Sequence, residues 1–307
     1  ERGEFQFAQR GQPLVTGKGS GDYDLATQQV GGETALEASL PGLLREFPVP
    51  DLSADAGTVK FSGSFAQKDQ RQTLTGNLVL ADFTGGYGEF KFQNYQASVD
   101  YDVEVKGNEV QLRRVALAPR QGFEPGGSFD LSGKLDLEKK SGQLTYKTVA
   151  VNQHALRPFL APFLAPRTLT SVSLNITGAA SFNGQGETSA QTEVELRDLL
   201  VKDPENKLPN TPLSLKFAVD VTQRQAVTDL RKLSLSLTPT ERARNELQVV
   251  GRIDLSPTNP APSALTIKAD ALDVTPYYDL FFAKPQTNAN AAAKPSSAPP
   301  PVSPGPE

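Results

Sequence analysis

The side chains with the greatest chemical reach are scarce in this chain. It has one histidine, His154, and no cysteine. Disulfides, thiolate nucleophiles and Cys-ligated zinc are therefore ruled out, and the usual Ser-His and multi-His arrangements have almost nothing to be built from. His154 sits in Val151-Asn152-Gln153-His154, with no triad or metal spacing around it, and reads as a structural residue near a helix start. Asp100, Asp102 and Glu104 alternate along one strand face and could suggest a divalent-ion cluster. Calcium loops need oxygen ligands wrapped by a tight glycine turn, which an extended strand does not supply, so a solvated sheet face is the better reading. Gly85-Gly86-Tyr87-Gly88 is not followed by a helical pattern, so it reads as a turn rather than a phosphate cradle. Nothing singles out one pair among the 35 acidic residues for glycoside chemistry. No catalytic, metal or cofactor site is expected, and the chain does not read as an enzyme.

The elements that would position any site are strands. From Ala97 to Val105 the odd positions Ala97, Val99, Tyr101, Val103 and Val105 are apolar, while Ser98, Asp100, Asp102 and Glu104 are polar. A period of two puts these sets on opposite faces of a strand, whereas a helix would scatter them. The same alternation recurs through Leu213, Leu215, Phe217, Val219 and Val221, through Phe129 to Leu137, and through Leu247 to Leu255. Turn signals separate such runs, among them Gly85-Gly86, Gly107-Asn108, Gly126-Gly127, Asn183-Gly184 and Pro204-Glu205-Asn206. The spacing predicts an all-β chain of about fourteen to eighteen strands.

Self-comparison adds a repeat. Gly21-Asp22-Tyr23-Asp24-Leu25 returns as Gly133-Lys134-Leu135-Asp136-Leu137 and as Gly251-Arg252-Ile253-Asp254-Leu255. Leu112-Arg113-Arg114-Val115-Ala116-Leu117 matches Leu230-Arg231-Lys232-Leu233-Ser234-Leu235 at an offset of 118, and Val99 to Val105 matches Leu215 to Val221 at 116. The chain thus divides into the end of one unit (1–50), two fuller units (51–166 and 167–283) and a Pro/Ala-rich tail (284–307) expected to be disordered. Opening in mid-unit and lacking methionine altogether, it is expected to be a segment of a longer protein. Each unit closes on an apolar cluster: Leu40 to Phe47, His154 to Leu164, and Thr275 to Phe282. In the second, Leu156, Phe159, Leu160, Phe163 and Leu164 have amphipathic spacing, but Pro158 and Pro162 predict a short, broken helix. Thr275-Pro276 reads as a helix N-cap followed by proline at the first position.

The net charge of −4, from 31 Lys+Arg against 35 Asp+Glu, argues against nucleic acid as a partner. No run of 18 apolar residues is present to span a bilayer as a helix, and no N-terminal signal pattern is visible. What remains is a sheet whose strands each have one apolar face and few helices to cover it. The expected architecture is an elongated, curled antiparallel sheet of tandem repeats, a taco-like groove, with sandwich repeats as the alternative. Its apolar faces would line one concave surface suited to acyl chains, with Leu78, Leu80, Phe90, Phe92, Val99, Tyr101, Val103, Leu215, Phe217 and Val219 facing inward. A different class of function, a structural or adhesive scaffold with a closed core, stays open at this point. A carbohydrate-binding module fits less well, since there is no tryptophan and only 7 tyrosines.

The long alternating strands, the repeat, the strand Leu265-Thr266-Ile267-Lys268-Ala269-Asp270-Ala271-Leu272-Asp273 and the Pro-Ala tail resemble the AsmA-like family of bacterial envelope proteins. Thr192-Glu193-Val194-Glu195-Leu196 followed by Leu208-Pro209-Asn210-Thr211-Pro212-Leu213 is similar to segments of that family's C-terminal β region. The resemblance implies a periplasmic β region held at the inner membrane by an N-terminal anchor that this segment lacks. It also implies binding or transfer of phospholipid and a part in outer-membrane biogenesis.

Overall fold

The computed structural model describes residues 1–9, 11–204, 211–258, 261–275 and 278. The predicted third helix, apart from Thr275 and Tyr278, and the predicted disordered tail lie outside them. The strands come in the order β1 (Arg2–Gln9), β2 (Gln12–Asp24), β3 (Gln29–Ser39), then helix α1 (Leu40–Glu46). Next are β4 (Leu52–Lys68), β5 (Arg71–Tyr87), β6 (Phe90–Lys106), β7 (Glu109–Gln121), the two-residue β8 (Glu124–Pro125), β9 (Ser128–Asp136), β10 (Ser141–Asn152) and helix α2 (Gln153–Leu164). The last group is β11 (Thr168–Phe182), β12 (Glu187–Lys202), β13 (Leu213–Arg224), β14 (Val227–Leu237), β15 (Glu246–Asp254) and β16 (Ala264–Ala269).

All 16 strands belong to one antiparallel sheet, and apart from β8 each pairs with its neighbour in sequence. β1 and β16 are its two edges and do not pair with each other, so the sheet is open. Short hairpins favour this order because antiparallel neighbours need only a tight turn. The ladder crosses from β3 to β4 and from β10 to β11 without interruption, so 1–50, 51–166 and 167–275 share one sheet. A single layer, not a pair of facing sheets, is what the described residues form.

Because successive strands run up and down, the sheet has two distinct ends. One carries tight hairpins such as 69–70, 107–108 and 225–226; the other carries α1, α2 and the longer connections. Register shifts lie toward both ends, near the helices and, at Arg113 and Arg231, near the hairpins; at each one strand holds an extra residue and bends. Asp82, Asn94, Ala150 and Asp198 take positive φ (50, 48, 49 and 54°) at such points.

The stretches 51–166 and 167–275 each contribute six longer strands, and the ladder fixes which residues correspond. Asp102 faces Arg114 with a shift before Val103 and Leu112; Asp220 faces Lys232 with a shift before Val221 and Leu230. Both β6 and β7 therefore map onto β13 and β14 at 118. The sequence match of Val99–Val105 at 116 is displaced by two residues, a slip that a period-two pattern cannot detect.

α2 runs unbroken for 12 residues despite Pro158 and Pro162. Each proline removes one backbone donor, but the Asn152 side chain caps the first turn by accepting from the His154 N–H at 2.9 Å. Tertiary packing supplies the rest. Leu156, Leu160 and Leu164 pack on buried Leu169, Val172 and Val201, while Phe159 meets Phe90, Phe92 and Tyr95. Gly85, Gly86 and Tyr87 belong to β5, and the turn comes at Gly88 with φ 54°. A Cβ at Gly85 would strike the backbone of Ser53 and Ala54, so close approach of β4 explains that glycine.

Candidate functional site: the apolar face of the sheet

Ladder register assigns every strand residue to a face, since directly opposed residues point the same way. Leu78 opposes Val99 and Leu80 opposes Ala97. Val99, Tyr101 and Val103 oppose Leu117, Val115 and Leu112 in turn. The same side continues through Leu131, Tyr146, Ile176 and Val194 to Phe217, with Leu215 opposite Leu196 and Val219 opposite Thr192. Phe90 and Phe92 join this face through the shifts near Asn94 and pack under α2, with ring centroids of Phe92 and Phe159 5.4 Å apart. The ten residues thus share one face of the sheet.

Sequence reading missed the members that give this face its texture. Phe61 and Tyr101 stack with centroids 6.4 Å apart, and the Tyr101 hydroxyl lies over Gly63 and Gly76. Phe5 lies over Gly17, and Tyr146 over Gly178 with its hydroxyl 2.5 Å from Thr192 Oγ1. Any Cβ at Gly17, Gly76 or Gly178 would collide with the ring above it. Aromatic rings thus fold flat onto glycines of neighbouring strands, as edge glycines are shielded in sheets. The signal was present as glycine at face positions within alternating runs, but only register says which ring covers which glycine.

The other face is polar and internally paired. Lys60 meets Glu37 at 3.2 Å, and Asn77 donates to Asp100 at 2.6 Å. Ser64–Thr75, Ser132–Thr145 and Ser181–Ser189 hydroxyl pairs bridge strands at 2.6, 2.9 and 2.7 Å. Glu195 is held below the ordinary carboxylate range by Arg197 and then by Lys216. The acidic trio is on this face, but it is not uniformly solvated as expected. Asp100 is exposed, whereas Glu104 is 9% exposed and bound by Arg71 at 3.3 Å and by Arg113.

A curl of the sheet at its hairpin end accompanies that burial. Five hollows are walled mainly by polar-face side chains. The largest, about 900 Å³, gathers residues from β5 round to β14, so the hairpin end curls toward the polar side. On β5 the apolar-face residues Leu74 and Leu78 are 39% and 42% exposed, more than Thr75 and Asn77 between them. The apolar face is a broad open surface, covered by α2 at one end. His154 lies at the start of that helix beside Gln153, 3.0 Å away, far from any cluster. Among the described residues no group of three or more His, Asp or Glu could hold a metal, and no helix is long and apolar enough to cross a membrane.

Comparison with protein-family models, with characterised proteins and with solved structures gave no match.

Proposed function

We propose that this chain is a lipid-binding module whose apolar sheet face takes the acyl chains of phospholipid. One observation carries the reading: among the described residues a single apolar face runs continuously across an open sheet, with helices packed only at one end. Contiguous apolar surface open to water marks an interaction site. Each buried methylene is worth about 0.8 kcal/mol, so a dozen contribute on the order of 10 kcal/mol before ordering costs. Such binding is non-directional and needs no conspicuous polar residues on that face. The resemblance to AsmA-like envelope proteins supports a periplasmic setting, with membrane attachment through an anchor outside this segment and a part in outer-membrane biogenesis. The alternative of a scaffold with a closed core finds less support in an open, single-layer sheet.

Native mass spectrometry of the segment purified from a bacterial envelope, with lipid extraction, tests the proposal. Co-purified phospholipid at defined stoichiometry is the expected result, and it should be lost in Val103→Asp and Phe217→Asp variants whose thermal unfolding remains cooperative. A folded, lipid-free chain that rejects fluorescent acyl probes overturns the proposal.

A further inference from the structure

The acyl-binding reading leaves the largest hollow without a role. It lies on the polar face at the hairpin end, opposite to the end that α2 covers, and encloses about 900 Å³. Most charges around it are already matched. Arg71 and Arg113 serve Glu104, Arg224 binds Glu187 at 2.6 Å, Arg231 binds Asp220 at 2.9 Å, and Lys139 binds Asp136 at 2.7 Å. Arg224 accordingly holds the Glu187 carboxyl below its ordinary range, and Lys139 does the same for Asp136.

A second set of wall residues has hydrogen-bonding capacity that no group among the described residues uses. Lys106 and Lys134 carry ammonium groups without a carboxylate in salt-bridge range, and the side-chain amides of Gln111 and Gln143 have no partner among the described residues. Thr222, only 6% exposed, is in the same wall, and its hydroxyl has no partner among the described residues. The hydroxyl is not among the buried polar atoms left without a partner, so it opens onto the hollow, where a ligand can bond it. Glu109, across the hairpin from Lys106, offsets one of the two lysines, leaving one positive charge.

We infer that this hollow binds a small polyhydroxylated anion, a sugar acid or sugar phosphate. The lysines take the anionic group, and Gln111, Gln143 and Thr222 take hydroxyls, since amides and hydroxyls both donate and accept. Acyl chains are poor occupants, because the wall is polar.

Isothermal titration of the full chain with glucose 6-phosphate and with glucuronate, alongside glucose and inorganic phosphate, tests the site. Saturable binding of at least one charged sugar is expected, about tenfold or more tighter than glucose or phosphate alone and weakening with salt. Lys134→Gln and Thr222→Val should each weaken it by about fivefold or more with unfolding midpoints unchanged. Val103→Asp, on the opposite face, should leave it intact, which separates this site from lipid binding. Absence of saturable binding by both charged sugars, equal binding of phosphate alone, or indifference to both polar-face variants overturns the inference.

Discussion

Glu104 in 51–166 and Thr222 in 167–275 occupy corresponding ladder positions, 118 residues apart, and both are nearly buried on the polar face. Behind each lies the same device, an aspartate paired with the arginine of a bulge: Asp102 with Arg113, and Asp220 with Arg231. The bulged residue lies on the neighbouring strand, β7 or β14, and the extra residue bends and twists the pair beside the buried position. In the first stretch the side chain there is a carboxylate with two arginines; in the second it is a hydroxyl with none. Burial at this position is therefore a property of the backbone, while its chemistry is free to differ.

The helix ends differ too. In 51–166 the end is locked by rings: Phe83–Phe92 and Phe92–Tyr95 centroids are each 5.3 Å apart, and the Tyr95 hydroxyl donates to the Ala155 carbonyl at 3.3 Å. Burial raises the Tyr95 pKa, so it stays a donor. In 167–275 buried Leu213 and Leu237 are joined by Asn245, which is fully buried at φ 61°. Asn245 donates to the Thr238 carbonyl at 2.8 Å and accepts from the Asp273 N–H at 2.6 Å. The first end relies on ring packing, while the second adds a buried polar clasp at Asn245 to the apolar cluster of Leu169, Val172 and Val201, so the two should fail differently.

The largest effect is expected from Asn245→Ala, which leaves two backbone groups unpaired at a cost of about 2–4 kcal/mol. Hydrogen exchange should show lost protection in 213–275 and little change in 51–166. Phe92→Ala should cost about 2–3 kcal/mol in denaturant unfolding and loosen α2 and the strands beneath it instead. Equal loss in both stretches for either variant breaks the contrast. Glu104→Gln comes next, at about 1–2 kcal/mol, because its arginine partners are themselves half-exposed and screened.

A pH titration probes the pairs directly. Asp136 and Glu187 have carboxyl pKa values below their unfolded ones, through Lys139 and Arg224 respectively. Their contribution is present above the unfolded values, near pH 4, and is lost as pH falls through the folded ones, so the unfolding midpoint should drop on acidification below about pH 4. Raising ionic strength should shrink that drop. The smallest effect belongs to Thr222→Val, expected within about 0.5 kcal/mol of neutral, since no hydrogen bond is lost. A cost comparable to Glu104→Gln would show that Thr222 has a partner after all and erase the difference between the two positions.

Much of this was legible in the residues. Alternation named the strands and grouped ten residues that share one face, because a two-residue period leaves each side chain only two directions. The G-x-[YLI]-D-L copies fall at β2, β9 and β15, each leading through a turn into another strand. The 116-residue offset for β6 was unreadable for the same reason that alternation works: a shift of two preserves the pattern. α2 looked broken at Pro158 and Pro162 because local propensity carries no information about Leu169 or Phe92, which hold it.

The sequence alone determined that this is a repeating all-β chain with one apolar and one polar face and no thiol chemistry. Which way the sheet curls was decided only in three dimensions. Curvature depends on bulges at Arg113, Arg231, Asp82 and Asp198, single-residue shifts against a neighbouring strand that no alternation pattern records. That curl buries Glu104 and Thr222, forms the polar hollow and leaves the apolar face open.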